Sequence, residues 1–238
     1  DKGFSQIWMS SADGKNIVPL TASYANASSP RWNPDGKTIA FTGTRGSDKD
    51  AKSQVWLLDR RGGEAQQYTE VKQGVNGFAW SPDGSRMLLT IKDPKPEDED
   101  TDANEKGADG KKKTKGKKKD SPKPWVIDRL QFKRDYVGYL DRRRTHFYLF
   151  DGEGEPVQIT SGDFDDSDPH WSPDGKTIAF VAKRHGDPDA NDNSDIWTVA
   201  ADAEAKEHPL TQVTTNPGAD YSPDWSPDGK TIAYVTAI

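Results

Sequence analysis

Three consecutive arginines, Arg142, Arg143 and Arg144, follow an aromatic segment that contains Tyr136 and Tyr139. A guanidinium can hold a carboxylate through two parallel hydrogen bonds, and a peptide offers such a group at its C-terminus or on an acidic side chain. These five residues are our candidates for contact with a substrate or a neighbouring domain. Because consecutive strand residues alternate between faces, we expect Arg142 and Arg144 to share one face. In the alternative interpretation the segment only extends a sheet and its arginines are solvated.

The chain offers no complete set of catalytic or metal-binding residues. It has no Cys, and it lacks a Gly-x-Ser-x-Gly turn, which presents a nucleophilic serine. Its four histidines, His146, His170, His185 and His208, are scattered, which argues against a zinc site. The Asp- and Asn-rich stretch 187–195 lacks the Gly and Glu positions of an EF-hand, so we interpret it as a loop. We therefore expect no catalytic residue, no metal and no cofactor in this chain.

These candidates lie in a chain that repeats one phrase. Copies of Trp-Ser-Pro-Asp-Gly, or Trp-Asn-Pro-Asp-Gly, begin at Trp32, Trp80, Trp171 and Trp225, and an apolar run follows each glycine. Pro presets φ for a tight turn, Asp bonds its own backbone, and Gly adopts the left-handed conformation that closes the turn. Each copy therefore predicts two antiparallel strands joined by a turn, with Trp at the end of the first strand.

A second phrase alternates with the first. Its strands are expected at 4–9, 54–59, 146–151 and 195–199, and each is followed by a turn and a short strand that ends in Thr. Equivalent tryptophans in this phrase are Trp8, Trp56 and Trp197. The two phrases together give four antiparallel strands in about 40–50 residues, which is the unit of a β-propeller blade.

We therefore predict an all-β fold, a β-propeller of four-stranded antiparallel blades. Three complete blades are expected over 32–69, 80–160 and 171–214, with half-blades at 1–21 and 225–238. The half-blades could pair and close a small four-bladed ring, or the chain could be an excerpt of a larger propeller. An unpaired strand edge after Thr236 favours the excerpt, because complete proteins tend to avoid such edges. Residues 1–238 are then one propeller domain or part of one.

One blade carries a large insertion. Trp171 lies 91 residues after Trp80, whereas the other neighbouring copies are 48 and 54 residues apart. Residues 93–124 change from acidic to lysine-rich and hold almost nothing apolar, which predicts disorder. Residues 125–145 are rich in aromatics and arginine, and predict a hairpin with a strand at 126–132 and a turn at 135–138.

Composition excludes several partners. The net charge of -6 argues against a general nucleic-acid binder. No apolar run is long enough to cross a bilayer, so no membrane partner is expected. The absence of Cys leaves the compartment open between a bacterial cytoplasm and a periplasm.

The repeated phrase resembles the propeller repeats shared by TolB-like proteins and by the prolyl oligopeptidase family of serine peptidases. The insertion narrows this resemblance. Asp128-Arg129-Leu130, the run from Gly138 to Arg144, and His146-Phe147-Tyr148 look like the bacterial acylaminoacyl-peptidase and dipeptidyl-peptidase-like branch. The resemblance implies an N-terminal propeller that caps a C-terminal α/β-hydrolase domain of the parent chain and restricts entry to short peptides.

The chain departs from that family in two respects. The nucleophile elbow is missing, and so is the paired-glutamate motif with which dipeptidyl peptidases hold the amino terminus of a substrate. We therefore expect the non-catalytic propeller of a serine peptidase acting on short or N-blocked peptides. It would gate access, contact the peptide substrate and be inactive alone. The alternative is a TolB-like protein-binding scaffold with no enzymatic partner domain.

Overall fold

A computed structural model describes residues 4–22, 26–45, 51–95, 132–135, 138–140, 142–186 and 193–237. Every regular element in these ranges is a β-strand, which confirms the all-β prediction. The strands are β1 (Trp8–Ser10), β2 (Ile17–Pro19), β3 (Asn26–Trp32), β4 (Thr38–Thr44), β5 (Gln54–Asp59), β6 (Gln66–Gln67), β7 (Gly77–Trp80), β8 (Met87–Lys92), β9 (Lys133–Arg134), β10 (Gly138–Tyr139), β11 (Thr145–Phe150), β12 (Val157–Gln158), β13 (Asp166–Trp171), β14 (Thr177–Ala182), β15 (Asp195–Ala200), β16 (Leu210–Gln212), β17 (Asp220–Trp225) and β18 (Ile232–Thr236). No helix in the described ranges is long and apolar enough to cross a membrane.

The strands form three four-stranded antiparallel sheets, which are the predicted blades. Blade 1 is β3-β4-β5-β6, blade 2 is β7-β8-β11-β12, and blade 3 is β13-β14-β15-β16. The N-terminal half-blade (β1-β2) and the C-terminal half-blade (β17-β18) are separate two-stranded sheets. The insertion enters between β8 and β11, the second and third strands of blade 2.

The Pro-Asp-Gly turns have the expected geometry. In the first, the Gly36 N–H donates to the Asn33 carbonyl over 2.9 Å, and Gly36 has the left-handed φ of 66° that such a turn requires. The same bond recurs in the other three copies, at Gly84, Gly175 and Gly229. Each repeat Trp pairs with the residue seven positions later, as Trp32 does with Ile39 and Trp171 with Ile178. The four tryptophans therefore occupy equivalent positions, as predicted.

The threonines that end the second phrase have a structural role. The Thr69 hydroxyl accepts a hydrogen bond of 2.9 Å from the backbone N–H of Val55, at the start of β5. The equivalent bond is made in the other blades and in the N-terminal half-blade, to Thr21, Thr160 and Thr214. Each Thr thus fastens the exit of the fourth strand to the third strand of its own repeat.

The hydrophobic core lies in layers between successive blades. In β14, Ile178 and Phe180 pack into the layer shared with blade 2, whereas Ala179 and Val181 pack toward the C-terminal half-blade. Trp171 packs into the same layer between blades 2 and 3. The equivalent Trp32 borders the two-stranded N-terminal half-blade and is 48% exposed. Burial of the repeat Trp therefore depends on the preceding blade.

The antiparallel order gives the propeller two distinct ends. We call the end that carries the Pro-Asp-Gly turns the turn face, and the end that carries the loops between second and third strands the insertion face. The hairpin β9-β10 is a separate two-stranded sheet, in which Tyr139 pairs with Lys133. The predicted strand 126–132, apart from its last residue, and most of the predicted disordered segment 93–124 lie outside the described residues.

Candidate functional site at the insertion face

The two ends of the insertion are joined at its base. The last paired residues of β8 and β11 are Lys92 and Thr145. Just beyond them, the Asp93 N–H donates to the Arg144 carbonyl over 2.7 Å, and the Arg144 N–H donates to Asp93 Oδ2 over 2.8 Å. The hairpin therefore departs from a base that is fixed on both sides.

The Arg144 side chain ties this base to the connection between blades 2 and 3. Its Nε donates to Asp163 Oδ1 over 2.8 Å and its Nη1 donates to Asp165 Oδ2 over 3.2 Å, while the side chain is 14% exposed. The Thr145 N–H donates to the other oxygen of Asp165. Burial lowers the pKa of Arg144, but hydrogen bonds and charge from Asp163 and Asp165 outweigh it and hold that pKa above its ordinary value. Arg144 therefore remains charged and anchors the insertion.

A buried charge cluster lies directly behind Arg144. The Asp166 carboxylate is fully buried and receives two bonds, of 2.6 and 2.9 Å, from Nη2 of Arg184. On the blade 2 side, Nδ1 of the buried His146 lies 3.1 Å from Asp166 Oδ2. The Arg184 Nη1 also donates to the Ser161 carbonyl over 2.9 Å. A buried carboxylate needs such partners, because desolvation of an unpaired charge is costly.

Asp166 and Arg184 were not among the residues predicted from the sequence. One signal was available: an Asp stands five residues before the Trp in two copies of the repeat, as Asp166 and as Asp220. Both are completely buried at the start of a first strand. A charged residue at such a position predicts a partner from the neighbouring blade.

The other predicted residues occupy different positions. Arg142 is exposed and Arg143 is half-buried, and both precede β11, so the expected alternation of strand residues does not apply to them. Tyr139 lies in β10, and Tyr136 lies outside the described residues. The structure thus brings Arg144 together with two carboxylates and leaves Arg142 on the surface beside this anchored base. Contact of these residues with a substrate or domain stays a prediction.

The arrangement holds its ionisable side chains in fixed pairs. In the described part of the chain, no group of three or more His, Asp or Glu side chains could hold a metal ion. His185 lies with Nε2 3.0 Å from the buried Asp195 carboxylate but forms no hydrogen bond with it.

Comparison with known proteins identifies peptidases as sequence relatives. The chain is 32% identical over 198 residues to the uncharacterized peptidase YuxL of Bacillus subtilis, which covers 83% of this chain and 28% of the relative. It is 25% identical over 258 residues to dipeptidyl-peptidase 5 of Porphyromonas endodontalis, covering 99% of this chain and 33% of the relative. The chain thus spans about a third of the length of these relatives. No family model matches it.

Solved structures share the fold. TolB from Acinetobacter baumannii superposes with a TM-score of 0.54 at 20% identity, covering 96% of this chain and 42% of that one. The acylaminoacyl peptidase of Pyrococcus horikoshii superposes with the same TM-score of 0.54 at 19% identity, covering 88% of this chain and 28% of that one. The chain is therefore a β-propeller segment that is similar, over most of its length, to part of two peptidases.

Proposed function

We propose that the chain is the non-catalytic propeller of a serine peptidase that acts on short or N-blocked peptides. The catalytic α/β-hydrolase domain would lie elsewhere in the parent chain. The propeller would gate access to that domain, and its insertion would contact the peptide or the domain. The observation that carries this proposal is the anchored insertion base, where Arg144 is held by Asp163 and Asp165 and Arg142 is exposed beside it.

Anchoring matters because a loop that is already ordered loses less entropy when it binds. The base is fixed by the backbone bond from the Asp93 N–H to the Arg144 carbonyl, by the bond from the Arg144 N–H to the Asp93 carboxylate, and by the ion pairs of the Arg144 side chain. A planar guanidinium beside such a base can hold a terminal carboxylate or an acidic side chain bidentately. In this proposal Arg142 makes that contact, and Arg144 is a positioning residue.

Kinetics of the full-length protein test the role of Arg142. Arg142→Ala should lower kcat/KM for short peptides by roughly 10- to 100-fold, which corresponds to a lost charged hydrogen bond of about 1.5–3 kcal/mol. Arg142→Lys should recover only part of this loss. Arg61→Ala is the matched control, since Arg61 is an exposed arginine that pairs with Asp59 in blade 1. Unchanged kcat/KM for Arg142→Ala would show that Arg142 does not contact the substrate.

The catalytic partner domain has its own test. The 238 residues contain no Gly-x-Ser-x-Gly motif, so the isolated chain should hydrolyse neither acyl-aminoacyl nor dipeptidyl chromogenic substrates. The full-length protein should hydrolyse them and should react covalently with a fluorophosphonate, which labels activated serines. Hydrolysis by the isolated chain would contradict the assignment of a non-catalytic role.

A TolB-like scaffold that binds proteins is the second candidate. It is favoured by the likeness to TolB, which extends over 96% of this chain. In this case the full-length protein would carry no nucleophile elbow and would not react with the fluorophosphonate. The labelling experiment therefore separates the two functions.

A further inference from the structure

One imidazole lies between two carboxylates at the base of the insertion. The His146 side chain is 3% exposed, with Nδ1 3.1 Å from Asp166 Oδ2 and Nε2 3.7 Å from Asp93 Oδ1. Asp166 begins the first strand of blade 3, and Asp93 is the first residue after β8, where the insertion starts. The ring therefore faces the buried interface between blades 2 and 3 on one side and the insertion on the other.

The blade that bears the insertion differs from the other complete blades at this place. His146 pairs with Ile91 of β8, and Asp93 lies two residues beyond Ile91. The residues at the same distance beyond the corresponding partner are Arg45 in blade 1 and Arg184 in blade 3. Blade 2 thus has a carboxylate where the other two have an arginine, and it has an imidazole beside that carboxylate.

The charges around the ring balance only when His146 carries a proton on both nitrogens. Asp93 and Asp166 supply two negative charges, and the Arg184 guanidinium, which is bonded to Asp166, supplies one positive charge. A neutral imidazole donates through one nitrogen only, so it can serve one of the two carboxylates. An imidazolium can attract both, because opposite charges within about 4 Å interact strongly where water is largely excluded.

The other ionisable groups around the ring do not supply this missing charge. Burial and the charge of Asp93 raise the pKa of Tyr148, two residues further along β11, so its hydroxyl stays neutral near pH 7. The Arg144 guanidinium is occupied by Asp163 and Asp165. Because strand residues alternate between faces, two neighbouring lysines are expected on the opposite faces of their strands, Lys92 and Lys183.

We propose that His146 is a pH-sensitive link between the blade interface and the insertion. While its imidazole is protonated, it attracts the Asp93 carboxylate and holds the first residue of the insertion against the buried cluster. Imidazoles commonly exchange this proton between about pH 5 and pH 8. Loss of the proton releases Asp93, so the insertion is held more firmly at mildly acidic pH than at alkaline pH. The proposal concerns the base of the insertion itself and stands independently of the peptidase assignment.

NMR of the 238-residue chain between about pH 5 and pH 9 tests the link. The ring protons of His146 report its titration. Hydrogen exchange of the Asp93 and Arg144 amides, which bond across the base, reports its opening. Corrected for the intrinsic effect of pH on exchange, the protection of these amides should fall about fivefold as the pH rises, with the midpoint of the ring titration. The Val75 amide, which bonds to the Ser53 carbonyl, should show no such step.

Conservative variants separate the link from a general effect of pH. His146→Gln should fold, since blade 1 accepts Gln54 at the equivalent position, and should hold protection at the alkaline level of the unaltered chain. Asp93→Asn should also remove the step, while it keeps an oxygen for the Arg144 amide. His185→Gln alters another histidine near a buried carboxylate and should leave the step in place.

Two kinds of result overturn the proposal. In the first, the His146 ring does not titrate in this range of pH, or it titrates while the protection of the Asp93 and Arg144 amides stays constant. In the second, the step persists in Asp93→Asn or disappears in His185→Gln, which would place its origin elsewhere.

Discussion

The interface between blades 1 and 2 is held by neutral groups, whereas charges cross the interface between blades 2 and 3. On the turn face, Asn33 Nδ2 of blade 1 donates to the Gly84 carbonyl of blade 2 over 3.0 Å. At the next interface Arg86 of blade 2 bonds two carbonyls of blade 3, those of Gly175 at 2.9 Å and Ala201 at 2.8 Å. The amide of one interface thus corresponds to a guanidinium in the other.

The insertion face shows the same contrast. Gln54 and His146 precede the equivalent residues Val55 and Phe147, so they share a position at the start of the third strand. The Gln54 side chain bonds both backbone groups of Val71, at 2.7 and 3.0 Å. His146 instead reaches Asp166 of the next blade. A neutral amide is therefore sufficient at this position in blade 1, whereas blades 2 and 3 carry the buried ionisable residues His146 and Asp195 there.

The largest difference is expected between two single variants at the insertion face, one in the buried charge cluster of blade 3 and one at the neutral amide of blade 1. Arg184→Ala leaves the buried Asp166 carboxylate without its main partner, so the free energy of unfolding should fall by about 3–5 kcal/mol. Gln54→Ala leaves neutral backbone groups unsatisfied and should cost about 1–3 kcal/mol. Urea unfolding at pH 7 measures both losses.

A double variant serves as the control for this experiment. Because Asp166→Ala removes the stranded charge, Asp166→Ala combined with Arg184→Ala should be more stable than Arg184→Ala alone. If Arg184→Ala and Gln54→Ala lower the free energy of unfolding equally, the charged cluster contributes no more to stability than the neutral amide does.

The turn face offers a smaller and closely matched comparison. Gly36 and Gly84 close equivalent turns with left-handed φ of 66° and 71°. Alanine at either position should cost about 1–2 kcal/mol for this conformation. A Cβ at Gly84 would also collide with Asn33 Oδ1, whereas one at Gly36 would meet nothing within 4 Å. Gly84→Ala should therefore lower the thermal midpoint more than Gly36→Ala does. The additional loss of stability should be near 1 kcal/mol, because the hydrogen bond from Asn33 is lost. Equal midpoints would mean that the contact between blades 1 and 2 adjusts without cost.

Arg144 links the charged interface to the insertion, and its effect should be local. Its partners Asp163 and Asp165 are well exposed, so Arg144→Ala should cost about 1 kcal/mol or less of global stability. The Leu140 amide donates to the Phe132 carbonyl in the hairpin, and its hydrogen exchange should become about fivefold faster. Arg61→Ala removes an exposed pair in blade 1 and should leave that amide unchanged. If the exchange rate of the Leu140 amide is unchanged in Arg144→Ala, the ion pairs of Arg144 do not stabilise the hairpin.

The repeat made much of the fold predictable, because its turn chemistry is local. The strand expected at 54–59 is β5, Gln54–Asp59, since its neighbour β4 pairs with all six of its residues. The strand expected at 4–9 is only Trp8–Ser10, because β1 has a single three-residue partner, β2. Periodicity predicts where a strand can form, and the neighbouring strands determine how far it extends.

The site was predictable in composition but not in geometry. The arginine run indicated that the insertion carries charge, yet Asp163 and Asp165 lie 19 and 21 residues beyond Arg144, across the two strands β11 and β12. Sequence spacing does not show that a blade connection returns to the insertion base. For the same reason the pairing of Asp166 with Arg184, which depends on two strands meeting, was not foreseen.

The smallest expected effect concerns the carboxylates of the Pro-Asp-Gly turns, which are present in both blade 2 and blade 3. Hydrogen bonds from the Ser81 hydroxyl and from Ser85 lower the pKa of Asp83 to about 2, and a hydrogen bond from the Ser172 hydroxyl holds the pKa of Asp174 below its ordinary value. In the unfolded chain these groups titrate near 3.9. Because the folded pKa values are depressed, the stabilisation is fully present above about pH 4 and is lost as the pH falls toward 2.

Ser81→Ala and Ser172→Ala should therefore flatten the decline of the urea midpoint between pH 4 and pH 2.5, and should do so to a similar extent. The matched control is blade 1, where Asn33 replaces the serine and the Lys37 backbone bond is the main cause of the lowered pKa of Asp35. Thr38→Val, which removes only a weak side-chain bond to Asp35, should leave the decline almost unchanged. If the urea midpoint of both serine variants falls as steeply with pH as that of the unaltered chain, the acid sensitivity arises elsewhere. The buried Asp166 cluster is then the group to test next.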